Sequence, residues 1–296
     1  MKYQDFIENI KDYVSSRLSN GQKVVLQSVT KNNGLVYDGL FIVDPILNVS
    51  PTIYLNPYYH RYLSGVPMED IYDDVLDTYY TNLPTKDFDV TVFTDFSKAR
   101  ERIVMKLINY KRNKQLLKSI PHIPYMDLAI VFVCSVTDFL HEYATILVHN
   151  EHLKLWNTSK EDLYQIALEN SPQILPYHFE SIKALLPAGT EHYIPWFDKV
   201  EMYILTNKLK IHGATCITYP GLLEEIANQL NSDLVIIPSS IHETLIIPET
   251  YLDSQHKEHP DFEDMIREVN DTQLTDDEVL GDHVYYYRRE SGTPVY

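Results

Sequence analysis

Glycine is scarce in this chain, with nine in 296 residues, or about 3% against the ~7% usual in proteins. Loops that cradle phosphates need several glycines, because the backbone must approach the ligand closely. No Gly-x-Gly-x-x-Gly occurs. Gly34 and Gly39 have the spacing of a phosphate loop, but Leu40 and Phe41 stand where Lys and Ser/Thr are required. Gly-x-Ser-x-Gly, His-Glu-x-x-His and paired Cys-x-x-Cys are also missing. The easily recognised dehydrogenases, NTPases, serine hydrolases and zinc proteins are thereby excluded. No cofactor is expected.

Cysteine is scarcer still. Cys134 and Cys216 are the two present, each inside an apolar run, and buried free thiols are the expectation. Long apolar stretches are absent too, since none approaches the ~20 residues of a membrane span. The opening Met1-Lys2-Tyr3-Gln4-Asp5 carries charges where a signal peptide needs an apolar run. The expectation is a cytoplasmic protein with no membrane partner. Positive charge is short as well: 25 Lys and Arg against 42 Asp and Glu give a formal net charge of −17. That balance favours solubility and works against nucleic acid.

What is present is a globular composition, 44% hydrophobic, with 23 tyrosines suited to half-exposed faces. Phe6, Ile7, Ile10, Val14 and Leu18 recur at helical spacing up to a stop at Asn20-Gly21. Val24–Val29 and Leu35–Val43 read as strands joined at Asn33-Gly34, a pair suited to positive φ. Pro51–Leu55 reads as a third strand, and a helix starts at Pro67. Asp89–Phe93 alternates like a strand, and periodicity then predicts a helix from about residue 96 to Leu117, capped by Thr94 or Asp95. Pro121 and Pro124 mark a candidate boundary.

Beyond it a strand-strand-helix unit recurs. Its first copy is Leu128–Cys134, Tyr143–His149 and a helix at 160–169, with Thr158 and Glu161 as a capping box ending before Pro172. The second is Met202–Thr206, Ala214–Thr218 and a helix from Gly221. Strands at Leu234–Ile237 and Thr244–Ile247 follow. The proline-rich 172–195 reads as an irregular crossing. A last helix capped by Asp261 precedes an edge strand at His283–Arg288. The fold expected is α+β, with mixed or antiparallel sheets and helices packed on them. Two closely packed subdomains, 1–120 and 121–296, are expected to meet near Ile120–Tyr125.

Three groups of residues carry candidate chemistry. Ser239, Ser240, His242 and Glu243 place a nucleophile, a base and an orienter in one connection between strands. Turn serines bonding the backbone are the alternative reading. His149 and His152 could share a metal if their segment is helical, with surface histidines the plainer reading and no metal site expected. Lys98, Arg102 and Lys106 recur every fourth residue, with Lys111, Arg112 and Lys114 beyond them. On one helix they would form a face for an acidic or phosphorylated partner, or pair with the protein's own acids.

Five segments taken together are Asn48–Asn56, Lys106–Tyr110, Ala144–Asn150, Pro238–Glu243 and Asp282–Tyr287. They resemble an uncharacterised bacterial protein family known only as a domain of unknown function. The resemblance spans nearly the whole chain and implies a free-standing cytosolic protein. It assigns no activity, so no catalytic residue carries over. The leading expectation is a non-catalytic cytosolic binding or protein-interaction protein. The alternative is a hydrolase using Ser239 or Ser240 with His242 and Glu243.

Overall fold

The computed structural model describes residues 1–19, 21–83, 89–136, 144–185, 201–252 and 262–296. They form an α+β fold in which every strand pairing is antiparallel. Asn20, Tyr143, Asp261 and residues 186–195 lie outside the described residues. Two compact units are distinguished, one of 1–31, 35–90 and 136–144, the other of 32–34, 91–135 and 145–296.

In the first unit, α1 (Tyr3–Arg17) buries Phe6, Ile7, Ile10 and Val14 as its spacing requires. The strands β1 (Lys23–Thr30), β2 (Val36–Val43) and β3 (Ile53–Tyr54) form a sheet in that order. Between β1 and β2, Asn33 and Gly34, which group with the second unit, take φ of 60° and 74°, the left-handed values that an Asn-Gly pair adopts at little cost. The helix α2 (Leu55–Leu63) starts where a longer third strand was expected. In α3 (Met68–Thr81), Ile71, Val75 and Tyr79 face the core. Leu40, Ile42, Ile53 and Leu55 complete that core.

The second unit corrects the sequence reading most. Short helices α4 (Thr91–Thr94) and α5 (Phe96–Ala99) replace the expected strand and the start of the long helix. Asp95 does cap α5, accepting from Ser97 N–H at 2.9 Å. The remainder of that expected helix is the strand β4 (Ile103–Asn109) followed by turns. Six of its seven residues are buried. A run apolar on both faces satisfies a helical and an extended period equally, and its β-branched residues favour the strand. Beyond it, β5 (His122–Tyr125), β6 (Leu128–Ser135) and β7 (Thr145–Leu147) complete a four-stranded sheet, with β6 paired to all three others. Pro121 and Pro124 lie inside this unit, and Pro124 is in an edge strand, where a missing N–H costs least.

Next come α6 (Asn150–Trp156), which the sequence reading missed, and α7 (Lys160–Ile174), capped by Ser159 rather than Thr158. Pro172 is tolerated inside the last turn of α7. The supposed irregular crossing contains β8 (Tyr177–Ser181) and α8 (Ile182–Leu185). A six-stranded sheet runs β13-β12-β10-β11-β9-β8. It comprises β8 with β9 (Tyr203–Asn207), β10 (Leu234–Ile237), β11 (Thr244–Pro248), β12 (Tyr285–Tyr287) and β13 (Pro294–Val295). Thus β12 is an interior strand, not an edge. The helices α9 (Leu222–Leu230) and α10 (Phe262–Thr272) complete the unit.

Residues 214–218 are a 3-10 helix, not a strand, so the strand-strand-helix unit does not recur. The reason lies at the open edge of β4. Thr215 Oγ1 accepts from Leu107 N–H at 3.0 Å, and Ser171 Oγ from Met105 N–H at 2.9 Å. Asn170 Nδ2 donates to the Ile103 carbonyl at 3.0 Å. Buried hydroxyls and an amide thus satisfy an edge that would otherwise hold unpaired polar groups.

Candidate functional site

The Pro238–Glu243 connection joins β10 to β11, as expected, but its polar groups serve the connection itself. Ser240 is buried, and its hydroxyl accepts from His242 N–H at 3.0 Å. Ser240 N–H donates to the Glu243 carbonyl at 3.1 Å, and Ile241 N–H to the Glu278 carbonyl at 2.9 Å. The His242 ring accepts from His212 N–H at Nδ1, 3.2 Å, while its Nε2 lies 3.8 Å from Glu278 Oε1. No hydrogen bond joins either serine hydroxyl to that ring. Burial is the main force holding His242 below the usual imidazole value, with Lys106 acting the same way and Glu278 opposing. A cavity of about 70 Å³ opens beside Ser239, lined mainly by apolar side chains such as Leu245, Met265 and Val269; Ser240 and His242 do not line it.

The approach of the 206–213 segment to this turn depends on Gly213. A Cβ there would stand 2.4 Å from the His242 carbonyl oxygen and 2.8 Å from Asn207 N. The neighbouring His212 has φ of 53°, and its Nδ1 is buried without a partner among the described residues. Burial first, then the charges of Lys106 and His242, lower its pKa to about 2. His212 is therefore a neutral ring.

The six basic residues do not share a helix. Lys98 is on α5 and donates to the Thr91 hydroxyl. Arg102 ends a 3-10 turn, and Lys106 is half-buried in β4. Lys111, Arg112 and Lys114 do come together, exposed on the turn that follows β4, with Lys118 four residues on. None of these four forms an ion pair with a described residue, and Lys118 instead bonds Gln115 Oε1 at 2.8 Å.

That turn is held from beneath by asparagines. Asn113 is 1% exposed. Its Nδ2 donates to the Asn109 carbonyl at 2.8 Å and to Asn33 Oδ1 at 2.9 Å, and its Oδ1 accepts from Asn33 N–H at 2.8 Å. Asn109 Oδ1 accepts from Arg112 N–H at 2.8 Å, and Asn109 Nδ2 reaches the Leu280 carbonyl at 3.0 Å. The charged side chains thus project from a backbone whose position is fixed.

His149 and His152 are brought together, but as a helix start. His149 N–H donates to His152 Nδ1 at 2.9 Å, and the His152 ring meets Phe93 edge-on at 4.7 Å. Burial, then His149, lowers the His152 pKa. Among the described residues no group of three or more potential ligands could hold a metal ion.

The chain matches the model of a family of unknown function (DUF5688) over residues 3–289. The chain belongs to this family. No curated protein and no solved structure matches it. The resemblance drawn from the five sequence segments is therefore met at the level of the family.

Sequence reasoning missed one polar cluster of this family member altogether. Asp127, in the two-residue turn between β5 and β6, accepts from Tyr285 OH at 2.8 Å and faces His283 Nε2 at 3.0 Å. His283 Nδ1 faces the Val284 carbonyl at 3.1 Å. Acceptors at both nitrogens favour the protonated form of the ring. Burial works to lower its pKa, and the Val284 carbonyl and Asp127 carboxylate outweigh it, so the net shift is upward. The one signal available was Met126-Asp127 between two strands, where Met126 takes φ of 55°. A distant acid-base pair leaves no local pattern.

Proposed function

We propose that the protein is a non-catalytic, cytosolic binding protein of a bacterium, and that it holds an acidic or phosphorylated partner at the turn of Lys111, Arg112 and Lys114. The observation that carries this reading is three exposed cations, Lys111, Arg112 and Lys114, that form no ion pair with a described residue and stand on a backbone fixed by buried Asn113, in a chain of net charge −17. Against that acidic background a rigid basic turn is a local attractor for anions, and preorganisation lowers the ordering cost on binding. The cytosolic part is supported by two free, buried cysteines. Among the described residues no helix is long and apolar enough to cross a membrane.

The test is capture from a bacterial lysate by the wild-type chain and by the Lys111→Glu, Arg112→Glu, Lys114→Glu triple variant. Partners recovered by the wild type and released by added salt should be missing from the variant. An identical set from both would refute the assignment of the turn.

A further inference from the structure

The chain holds two Asn-Gly pairs, Asn20-Gly21 and Asn33-Gly34. Glycine has no Cβ, so its backbone nitrogen is the least hindered neighbour that an asparagine carboxamide can have. Once the Gly34 N–H gives its proton to hydroxide, the nitrogen is free to attack Asn33 Cγ. A Cγ–N bond closes a succinimide ring, the Cγ–Nδ2 bond breaks, and Nδ2 leaves as ammonia. Water then opens the ring at either carbonyl, which leaves aspartate or isoaspartate. The net change is ammonia lost for water gained, with nothing oxidised or reduced.

Against that chemistry stands the way the fold holds this amide. Gly34 is exposed, whereas Asn33 is half-buried. Asn33 Nδ2 donates to the carbonyls of Asp276 at 2.8 Å and Val279 at 2.7 Å. Its Oδ1 accepts from Asn113 Nδ2 at 2.9 Å, and its N–H donates to Asn113 Oδ1 at 2.8 Å. Both protons of the side-chain amide are thus spent, and all of these partners belong to the second unit. Departure of Nδ2 as ammonia must break the first two bonds. A carboxylate oxygen in its place would face the Asp276 and Val279 carbonyls with no proton to share. Acceptors that lose a donor keep their desolvation cost, and here they also meet a negative charge.

We propose that Asn33 is a deamidation site gated by the fold: its amide persists while the clamp of Asn113, Asp276 and Val279 is closed, and its conversion to aspartate or isoaspartate opens that clamp. The part loosened is the turn of Lys111, Arg112 and Lys114, which Asn113 anchors through the Asn109 carbonyl at 2.8 Å. New negative charge next to that turn would also oppose an anion held there. That last consequence rests on the reading of the turn as a binding site, whereas the gate does not.

The full chain is incubated at mildly alkaline pH, folded and in urea, and conversion at each Asn-Gly pair is followed by peptide mass spectrometry. In urea Asn20 and Asn33 should react at comparable rates, which calibrates the unhindered chemistry. In the folded chain Asn33 should react at least about tenfold more slowly than in urea, because reaction waits on local opening. Asn113→Ala should recover most of that factor and leave the rate in urea unchanged. Asn33→Asp, the product itself, should speed hydrogen exchange at Arg112 N–H about tenfold. The Ile130 amide, in a strand paired on both sides, should exchange as before. Equal rates for Asn33 with and without urea, or an Asn113→Ala variant as slow as the wild type, would overturn the proposal. So would unchanged exchange at Arg112, or equal acceleration there and at Ile130. None of these readouts involves a partner, so they stand or fall apart from the binding reading.

Discussion

The turns at 238–243 and 110–118 use polar side chains in opposite ways. In the first, hydroxyl, imidazole and carbonyl groups are spent on neighbouring backbone, and Gly213 brings the 206–213 segment against the His242 carbonyl. In the second, uncharged asparagines do the structural bonding, which leaves Lys111, Arg112 and Lys114 to solvent. Catalytic residue types are therefore no guide to a site when the chain itself consumes their hydrogen-bonding capacity. The informative side chains are those the fold supports without using.

The sharpest break of the first turn is Gly213→Ala. The new Cβ would overlap the His242 carbonyl and Asn207 N, and overpacking against backbone puts the expected loss near 3 kcal/mol or beyond. Chemical denaturation measures it, and a loss under about 1 kcal/mol would mean that the 206–213 segment can move away. The matching break of the second turn is Asn113→Ala, which strands Asn33 N–H and two acceptors. An expected loss of about 2–3 kcal/mol follows from leaving buried groups unpaired. Anion binding at the turn should weaken with it, because the cations lose their fixed base.

Smaller effects refine the contrast. Ser240→Ala removes the acceptor of His242 N–H and should cost about 1–2 kcal/mol, whereas Ser239→Ala should stay within about 0.5 kcal/mol. If Ser239 proved the costlier, the bonding pattern of the connection would need redrawing.

The histidines give a pH signature with two limbs. His212 has a lowered folded pKa, so below about 6.5 the unfolded chain takes up a proton that the fold refuses, and stability falls with acid. His283 has a raised one, so its contribution is full below about 6.5 and is lost as pH rises through its folded value. Each limb has a slope of at most about 1.4 kcal/mol per pH unit. His212→Asn, which also suits the left-handed φ, should reduce the acid limb alone, to which His152 and His242 also contribute, and His283→Gln should reduce the other. Melting curves across pH in which one variant altered both limbs would contradict these assignments.

Much of the first unit was legible because its pattern and its burial coincide: Ile10, Val14, Ile71 and Val75 are spaced for one buried face and occupy it. In the second unit legibility failed where burial was uniform. Ile103–Asn109 and Gly213–Thr218 are buried on nearly all sides, so periodicity carries no signal. The cover of the β4 edge by Ser171, Asn170 and Thr215 is long-range and invisible in any local window. The same holds for the candidate sites. Lys98, Arg102 and Lys106 share a spacing without sharing a helix, whereas Lys111, Arg112 and Lys114 share a turn. What makes that turn rigid, Asn33 with Asn113, is separated by eighty residues.

The most direct measurement compares two charge-reversal triples against a fluorescent, multiply phosphorylated peptide at low and at physiological salt. One triple reverses Lys111, Arg112 and Lys114, and the other Lys98, Arg102 and Lys106. The account predicts salt-sensitive binding by the wild type and a loss of about tenfold or more in the first triple with its melting temperature unchanged. The second triple should bind as the wild type does. Equal loss in both would restore a single basic face spanning all six residues, and undiminished binding by the first would show that the turn holds no partner.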